Sequence, residues 1–93
     1  MGLRAGMAKK GIVILGSTGS VGVSSLDIMG RHPERFEVVG LTAWENVALL
    51  KSQILKYRPK IVAVGSEQKA QVLRSDVSLK GTDVYGALKA LLR

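Results

Sequence analysis

The chain has 93 residues, enough for one domain near the small end of what can bury its own core, and its 46% hydrophobic content reads as globular. It has no cysteine and a single histidine, His32, which excludes a disulfide scaffold, a thiol nucleophile, a cysteine-ligated metal and a multi-histidine metal site within one chain. Fourteen basic residues against seven acidic ones give a net charge of +7, which favours anionic partners: nucleic acid, phosphorylated metabolites or anionic lipid.

The first nine residues read as a loose leader, with the ordered domain beginning at Lys10 and running to Arg93. They are too short and too polar for a signal peptide. Gly6 occupies the position where a myristoylation signal needs Ser or Thr. No stretch approaches the ~20 apolar residues of a membrane span.

Gly11 to Leu15 is a short apolar run rich in β-branched residues. Apolar on both faces, it fits a central parallel strand. A glycine-rich turn, Gly16-Ser17-Thr18-Gly19-Ser20-Val21-Gly22, follows. From Val21 to about Arg31 the spacing of Val21, Ser24/Ser25, Ile28 and Met29 predicts a helix, and His32-Pro33 stops it. Phe36 to Ala43 reads as a second strand. Asn46 is a helix cap, and Val47, Leu50, Ile54 and Tyr57 form the apolar face of a second helix that ends at Arg58-Pro59. Ile61 to Val64 is a third strand, Gly65-Ser66 a turn, and Glu67 to Arg74 a short helix presenting Ala70 and Leu73. Ser75 to Gly81 reads as irregular, Thr82 to Tyr85 as a short fourth strand, and Gly86 to Arg93 as the start of another helix.

Strands alternating with helices predict an α/β fold: βαβ units with right-handed crossovers in a Rossmann-like parallel sheet, with helices on both faces. The pattern covers only the N-terminal half of such a fold, so the chain reads as a truncated domain or a free-standing half.

The strand–turn–helix unit is an anion site on physical grounds. Gly16 permits the sharp turn at the strand's end. Gly19 allows backbone to approach a pyrophosphate, and Gly22 lets the helix lie close to the strand. The free N–H groups and positive end of the helix face the phosphates, with Ser17, Thr18 and Ser20 adding hydroxyl donors. The spacing is GxxGxxG, and no Gly-Lys-Ser/Thr follows, so this is not a nucleotide-hydrolysing P-loop. In dinucleotide folds an acid about 20 residues further on bonds the adenine ribose, whereas basic or small polar groups admit a 2′-phosphate. Here stand Trp44, Glu45 and Asn46. Glu45 is either a ribose ligand or a solvated loop acid. Trp44 either stacks on adenine or covers the sheet edge.

Read together, Gly11 to Gly22, Ser25-Leu26-Asp27, His32-Pro33-Glu34-Arg35-Phe36, Val38 to Ala43, Asn46-Val47 and Arg58-Pro59-Lys60 resemble the N-terminal domain of the 1-deoxy-D-xylulose 5-phosphate reductoisomerase family. The resemblance runs from Lys10 to Arg74 and more loosely to Arg93. It implies an NADPH-dependent enzyme of non-mevalonate isoprenoid biosynthesis. Such an enzyme converts its sugar phosphate to 2-C-methyl-D-erythritol 4-phosphate with a divalent metal, Mg or Mn. It further implies a homodimer and a cytoplasmic location, or a plastid one. Cofactor-binding positions carried over are Thr18, Gly19, Ser20, Val21 and Asn46. Where the family often has Gly followed by a basic or small polar residue, this chain has Trp44 and Glu45. The family's acidic metal ligands, substrate-phosphate site and lid have no counterpart in these 93 residues. Catalysis by the chain alone is therefore not expected.

Two other readings remain open: a Rossmann segment of another NAD(P) oxidoreductase, and a basic non-catalytic module. The second rests on Lys51, Lys56, Arg58 and Lys60, but the sparse aromatics and missing nucleic-acid motif argue for a solvated face. His32, at a helix end without an acid or nucleophile beside it, reads as structural.

Overall fold

The computed structural model describes residues 9–86. Four strands, β1 (Lys10–Ile14), β2 (Phe36–Ala43), β3 (Ile61–Val64) and β4 (Asp83–Tyr85), alternate with helices α1 (Ser20–Gly30), α2 (Val47–Tyr57) and α3 (Glu67–Arg74). All neighbouring strands pair in parallel, in the order β1-β2-β3-β4. This is the α/β Rossmann-like sheet read from the sequence. The expected final helix lies outside the described residues, as do the first eight residues of the leader.

The strands follow one another in one direction, so crossovers of the usual right hand put α1, α2 and α3 on one face of the sheet. The alternation along the strands agrees. Ile14, Leu41, Ala43, Val62, Val64 and Val84 are buried on the helix side, where they meet Leu26, Leu50, Ile54, Ala70 and Leu73. On the other face Val13, Ile61 and Tyr85 are exposed, and Val13 and Ile61 close over Gly40. Helices on that second face would have to come from outside residues 9–86. The strand β1, read as central, is an edge strand among the described residues, with Val13 58% exposed. Its apolar outer face is the signature that suggested a central position.

A register shift between Ile12 and Val13 accommodates an extra residue of β2. It keeps both Val38 and Leu41 on the buried side, three positions apart.

The apolar face of α1 is rotated from the expected one. Gly22 and Leu26 are buried, with Met29 packed against the core. Val21 and Ile28 face outward, Val21 at 79% exposure. The cause is steric. Gly22 fits so tightly on the preceding turn that its position sets the helix's rotation.

The predicted face of α2 holds: Leu50 and Ile54 are buried, and Val47 and Tyr57 pack against the core. The helix ends on Arg58, a left-handed cap at φ 50° whose N–H bonds the Ile54 carbonyl. At α3's end, the Arg74 guanidinium donates to the Val84 carbonyl, tying that helix to β4.

The stretch read as irregular contains a 3-10 turn, Val77–Leu79, which buries Leu79. Asp76 organises it: its carboxylate accepts from the Ser78 N–H and hydroxyl and pairs with Lys51 of α2 at 2.6 Å. These bonds, that from Lys51 foremost, hold the Asp76 carboxyl down to about 2, below its ordinary 3.8. Because the folded value is the lower one, the contribution is complete above the unfolded pKa and disappears as pH falls through the folded one. The chain should therefore lose stability between about pH 4 and pH 2 in part through this group. Asp76→Asn should flatten that part of the profile and lower stability at neutral pH. Denaturant midpoints measured across the acid range check it.

Candidate functional site

The C-terminal ends of the strands carry the turn between β1 and α1. Its backbone is pinned by β2. Thr42 accepts twice, its side-chain oxygen from the Gly16 N–H at 2.9 Å and its carbonyl from the Ser17 N–H at 2.8 Å. Gly16 sits at φ 70°, the left-handed conformation that the sharp turn demands of a glycine. Gly22 then closes the turn. A Cβ there would lie 2.2 Å from the Gly16 carbonyl oxygen and 2.7 Å from the Ser17 Cα.

Ser17 departs from its expected role as a phosphate donor. The residue is wholly buried, and its hydroxyl donates to Gln53 Oε1 at 2.7 Å while Gln53 Nε2 donates back to the Ser17 carbonyl at 2.8 Å. Both of its donors are thus consumed inside the protein. Ser17 positions the turn against α2 and does not present a hydroxyl to a ligand. Leaving either partner of such a buried pair unmet costs ~1–3 kcal/mol, which fixes this side of the loop.

The outer part of the turn is different. Thr18 is partly exposed; Gly19, Ser20 and Val21 are exposed. The Gly19 N–H is spent on the Gly16 carbonyl at 3.0 Å. The N–H groups of Thr18, Ser20, Val21 and Gly22 have no acceptor among the described residues. Gly19 is the N-cap of α1 and supplies no side-chain cap, whereas Asn46 and Ser66 cap α2 and α3 with their side chains. Thus α1 offers uncapped donors and the positive end of its dipole at the mouth of the turn, an arrangement suited to a phosphate.

Gly19 has an ordinary extended conformation, φ −79° and ψ 170°. A Cβ there would meet only the Gly16 oxygen, at 3.5 Å. Nothing in the protein's own packing requires a glycine at this position. The space outside it is what a side chain would fill.

At the end of β2, the Trp44 carbonyl accepts from the Gly65 N–H at 3.3 Å, and its ring lies on Gly65. That glycine is needed, since a Cβ would lie 2.6 Å from the Trp44 oxygen. Trp44 keeps 42% of its surface exposed, so the side chain retains a face toward solvent. Asn46 caps α2, its Oδ1 accepting from the Leu49 N–H at 3.0 Å. Its Nδ2 amide makes no hydrogen bond among the described residues. Glu45 turns outward, its side chain 81% exposed and ion-paired with Lys69 of α3 at 3.1 Å.

The structure therefore gathers Thr18, Gly19, Ser20 and Val21 on one exposed turn, with Trp44, Glu45 and Asn46 on the neighbouring strand end. Two positioning residues, Thr42 and Gln53, were not singled out from the sequence. Gln53 did carry a signal. It lies beside Ile54 and three residues after Leu50, on the apolar side of α2, where a polar side chain demands a buried partner.

Other pockets are lined by different residues. One of about 310 Å³ lies between Lys9, Gly30, Phe36, Lys56 and Tyr57, at the opposite end of the strands. His32 is at that end as well, beside Glu34 at 3.8 Å. The basic cluster is partly committed: Lys51 pairs with Asp76, Lys60 lies 4.0 Å from Glu37, and Arg58 donates to the Ser78 carbonyl. Among the described residues no three His, Cys, Asp or Glu side chains gather as metal ligands, so none of them is assigned to a metal.

The sequence pattern of the family described as 1-deoxy-D-xylulose 5-phosphate reductoisomerase matches residues 12–91. The reductoisomerase of Geotalea uraniireducens is 47% identical over 83 residues, covering 89% of this chain and 22% of that protein. The one from Synechococcus is 53% identical over 64 residues, covering 69% of this chain and 16% of the relative. The chain thus spans about a fifth of the length of the curated relatives it matches. Among solved structures, the reductoisomerase of Zymomonas mobilis in complex with NADPH superposes with a TM-score of 0.72 at 29% identity, over 84% of this chain and 20% of that one. A reductoisomerase in complex with NADPH, fosmidomycin and magnesium gives a TM-score of 0.77 at 28% identity, over 89% of this chain and 21% of the other. The match across residues 12–91, with its pinned glycine turn and four-stranded parallel sheet, places the chain in the 1-deoxy-D-xylulose 5-phosphate reductoisomerase family.

Proposed function

We propose that this chain is the NADPH-binding segment of an enzyme that reduces and rearranges 1-deoxy-D-xylulose 5-phosphate. The observation that carries the proposal is the uncapped N-terminus of α1 behind the Gly19 turn, in a chain whose solved relatives include NADPH complexes. The backbone N–H groups of Thr18, Ser20 and Val21, with the Thr18 and Ser20 hydroxyls, would hold the pyrophosphate. Trp44, Glu45 and Asn46 would frame the adenosine end, with the Asn46 amide as a donor. When bound, NADPH supplies a hydride; these residues hold and orient its nucleotide end, and none of them moves a proton. The sugar-phosphate site, the Mg or Mn ligands and the homodimer contacts belong, in this reading, to the remaining four-fifths of the family's length.

A leader over residues 1–9, a domain from Lys10 onward and a cytoplasmic or plastid setting complete the proposal. No helix among the described residues is long and apolar enough to cross a membrane.

Calorimetric titration of the 93-residue chain with NADPH tests the proposal. Saturable binding with a Kd below about 1 mM is expected, a threshold equivalent to about 4 kcal/mol. No NADPH oxidation should follow on adding 1-deoxy-D-xylulose 5-phosphate and magnesium. Absence of saturable heat would remove the nucleotide assignment, and substrate-dependent oxidation would show that catalysis resides in this segment.

A further inference from the structure

Glu45 presents a difficulty for NADPH. It occupies the strand end where a dinucleotide fold meets the adenine ribose, and a carboxylate there opposes a 2′-phosphate. The structure answers it from a different element. Lys69, in the first turn of α3, reaches across to Glu45 with Nζ 3.1 Å from Oε1. Its side chain is only 32% exposed, whereas that of Glu45 is 81% exposed. The lysine side chain is therefore the more covered partner, and its ammonium holds the acid toward α3.

This placement is built by local structure. Ser66 caps α3, its hydroxyl accepting from the Lys69 N–H at 3.3 Å. The preceding residue, Gly65, lets the Trp44 backbone lie directly against the end of β3. The two contacts bring the first turn of α3 to the loop that carries Trp44, Glu45 and Asn46. A lysine ammonium has three donors and no acceptor, so one bond to Glu45 leaves donors for a second anion.

We infer that Lys69 is a specificity-determining residue of this chain: it neutralises Glu45 and supplies the positive charge that admits a 2′-phosphate at the end of β2. The inference rests on the nucleotide-binding reading above and adds the source of the preference for NADPH. In this chain the basic group comes from α3, while position 45, next to the cap of α2, is acidic.

The test is the pair of dissociation constants for NADPH and NADH, measured on the wild-type chain and on Lys69→Gln. The variant should weaken NADPH by roughly tenfold and leave NADH within about twofold, with the NADPH effect shrinking as salt rises. Thermal stability should change little, since exposed ion pairs contribute little to folding. Glu45→Gln should raise NADPH affinity more in the Lys69→Gln background than in the wild type, where Lys69 already neutralises the acid, a difference that a purely structural lysine would not produce. Equal weakening of both nucleotides, or an unchanged ratio, overturns the role of Lys69 while leaving nucleotide binding intact. A wild-type chain that binds neither nucleotide overturns the proposed function and this inference together.

Discussion

Gly22→Ala should destabilise the chain by about 3 kcal/mol, although alanine is the better helix former. Helix propensity alone favours the change by roughly 1 kcal/mol. The contact decides against it. The added methyl would lie 2.2 Å from the Gly16 carbonyl oxygen and 2.7 Å from the Ser17 Cα. Both neighbours are backbone. Gly16 is fixed by the Thr42 hydroxyl, and Ser17 by the Thr42 carbonyl and Gln53. Gly16 cannot retreat without breaking its bond to Thr42, nor Ser17 without breaking its buried bonds to Gln53, each worth ~1 kcal/mol net and more if a buried partner is left unmet. Overpacking of this kind costs ~1–3 kcal/mol, occasionally more. In a domain of this size 3 kcal/mol lowers the melting temperature by more than about 10 °C. Thermal unfolding followed by circular dichroism measures it. Gly30→Ala is the control, because its methyl meets the Tyr57 ring rather than backbone, and that side chain can shift. A Gly22→Ala variant that melts with the wild type would mean that the helix does not bear on the turn.

The contrast between Gly22 and the rest of α1 shows where the sequence was legible. Strand and helix positions followed from apolar periodicity, and the cap of α2 followed from Asn46, whereas Ser66, read as part of a turn, caps α3 in the structure. The rotation of α1 did not follow. Val21 and Ile28 match a helical repeat, yet both face outward, because the tight seat of Gly22 outweighs the pull of two apolar side chains. Tertiary packing overrides local pattern at that point. The 3-10 turn at Val77–Leu79 was hidden for a related reason. It depends on Asp76 meeting Lys51 from a helix some 25 positions earlier, a pairing that local sequence does not encode.

The candidate site divides along the same line. The turn itself was legible, since a buried strand, a spaced set of glycines and a helix start are all local features. The division of labour within it was not. Ser17, Thr18 and Ser20 look alike as hydroxyl donors in sequence. Only the fold reveals that Ser17 is turned inward onto Gln53 while the other two remain at the surface. The open face and edge position of β1 likewise depend on what lies beside it. An apolar run reports that a strand is made to be covered, not which element covers it.

Gly19→Val should abolish nucleotide binding while leaving the fold almost untouched, the reverse of the outcome at Gly22. The backbone at Gly19 is extended, so valine meets no conformational barrier there. Its Cβ would make an ordinary contact, 3.5 Å from the Gly16 oxygen. Gly19 supplies no side-chain cap to be lost, and replacing an N-cap glycine by an apolar residue costs only about 1 kcal/mol or less. The consequence outside the protein is larger. The valine side chain would project over the uncapped N–H groups of Ser20 and Val21, where a pyrophosphate must come within hydrogen-bonding distance of backbone. Each charge-assisted bond lost is worth ~1.5–3 kcal/mol, so losing two reduces affinity by at least about a hundredfold. Calorimetric titration with NADPH, paired with a thermal melt of the same sample, separates the two effects. A melt within a few degrees of wild type together with vanished binding assigns the glycine to the ligand. Undiminished affinity would move the phosphate away from this turn, and a collapsed melt would show that Gly19 serves the fold in a way its contacts do not explain.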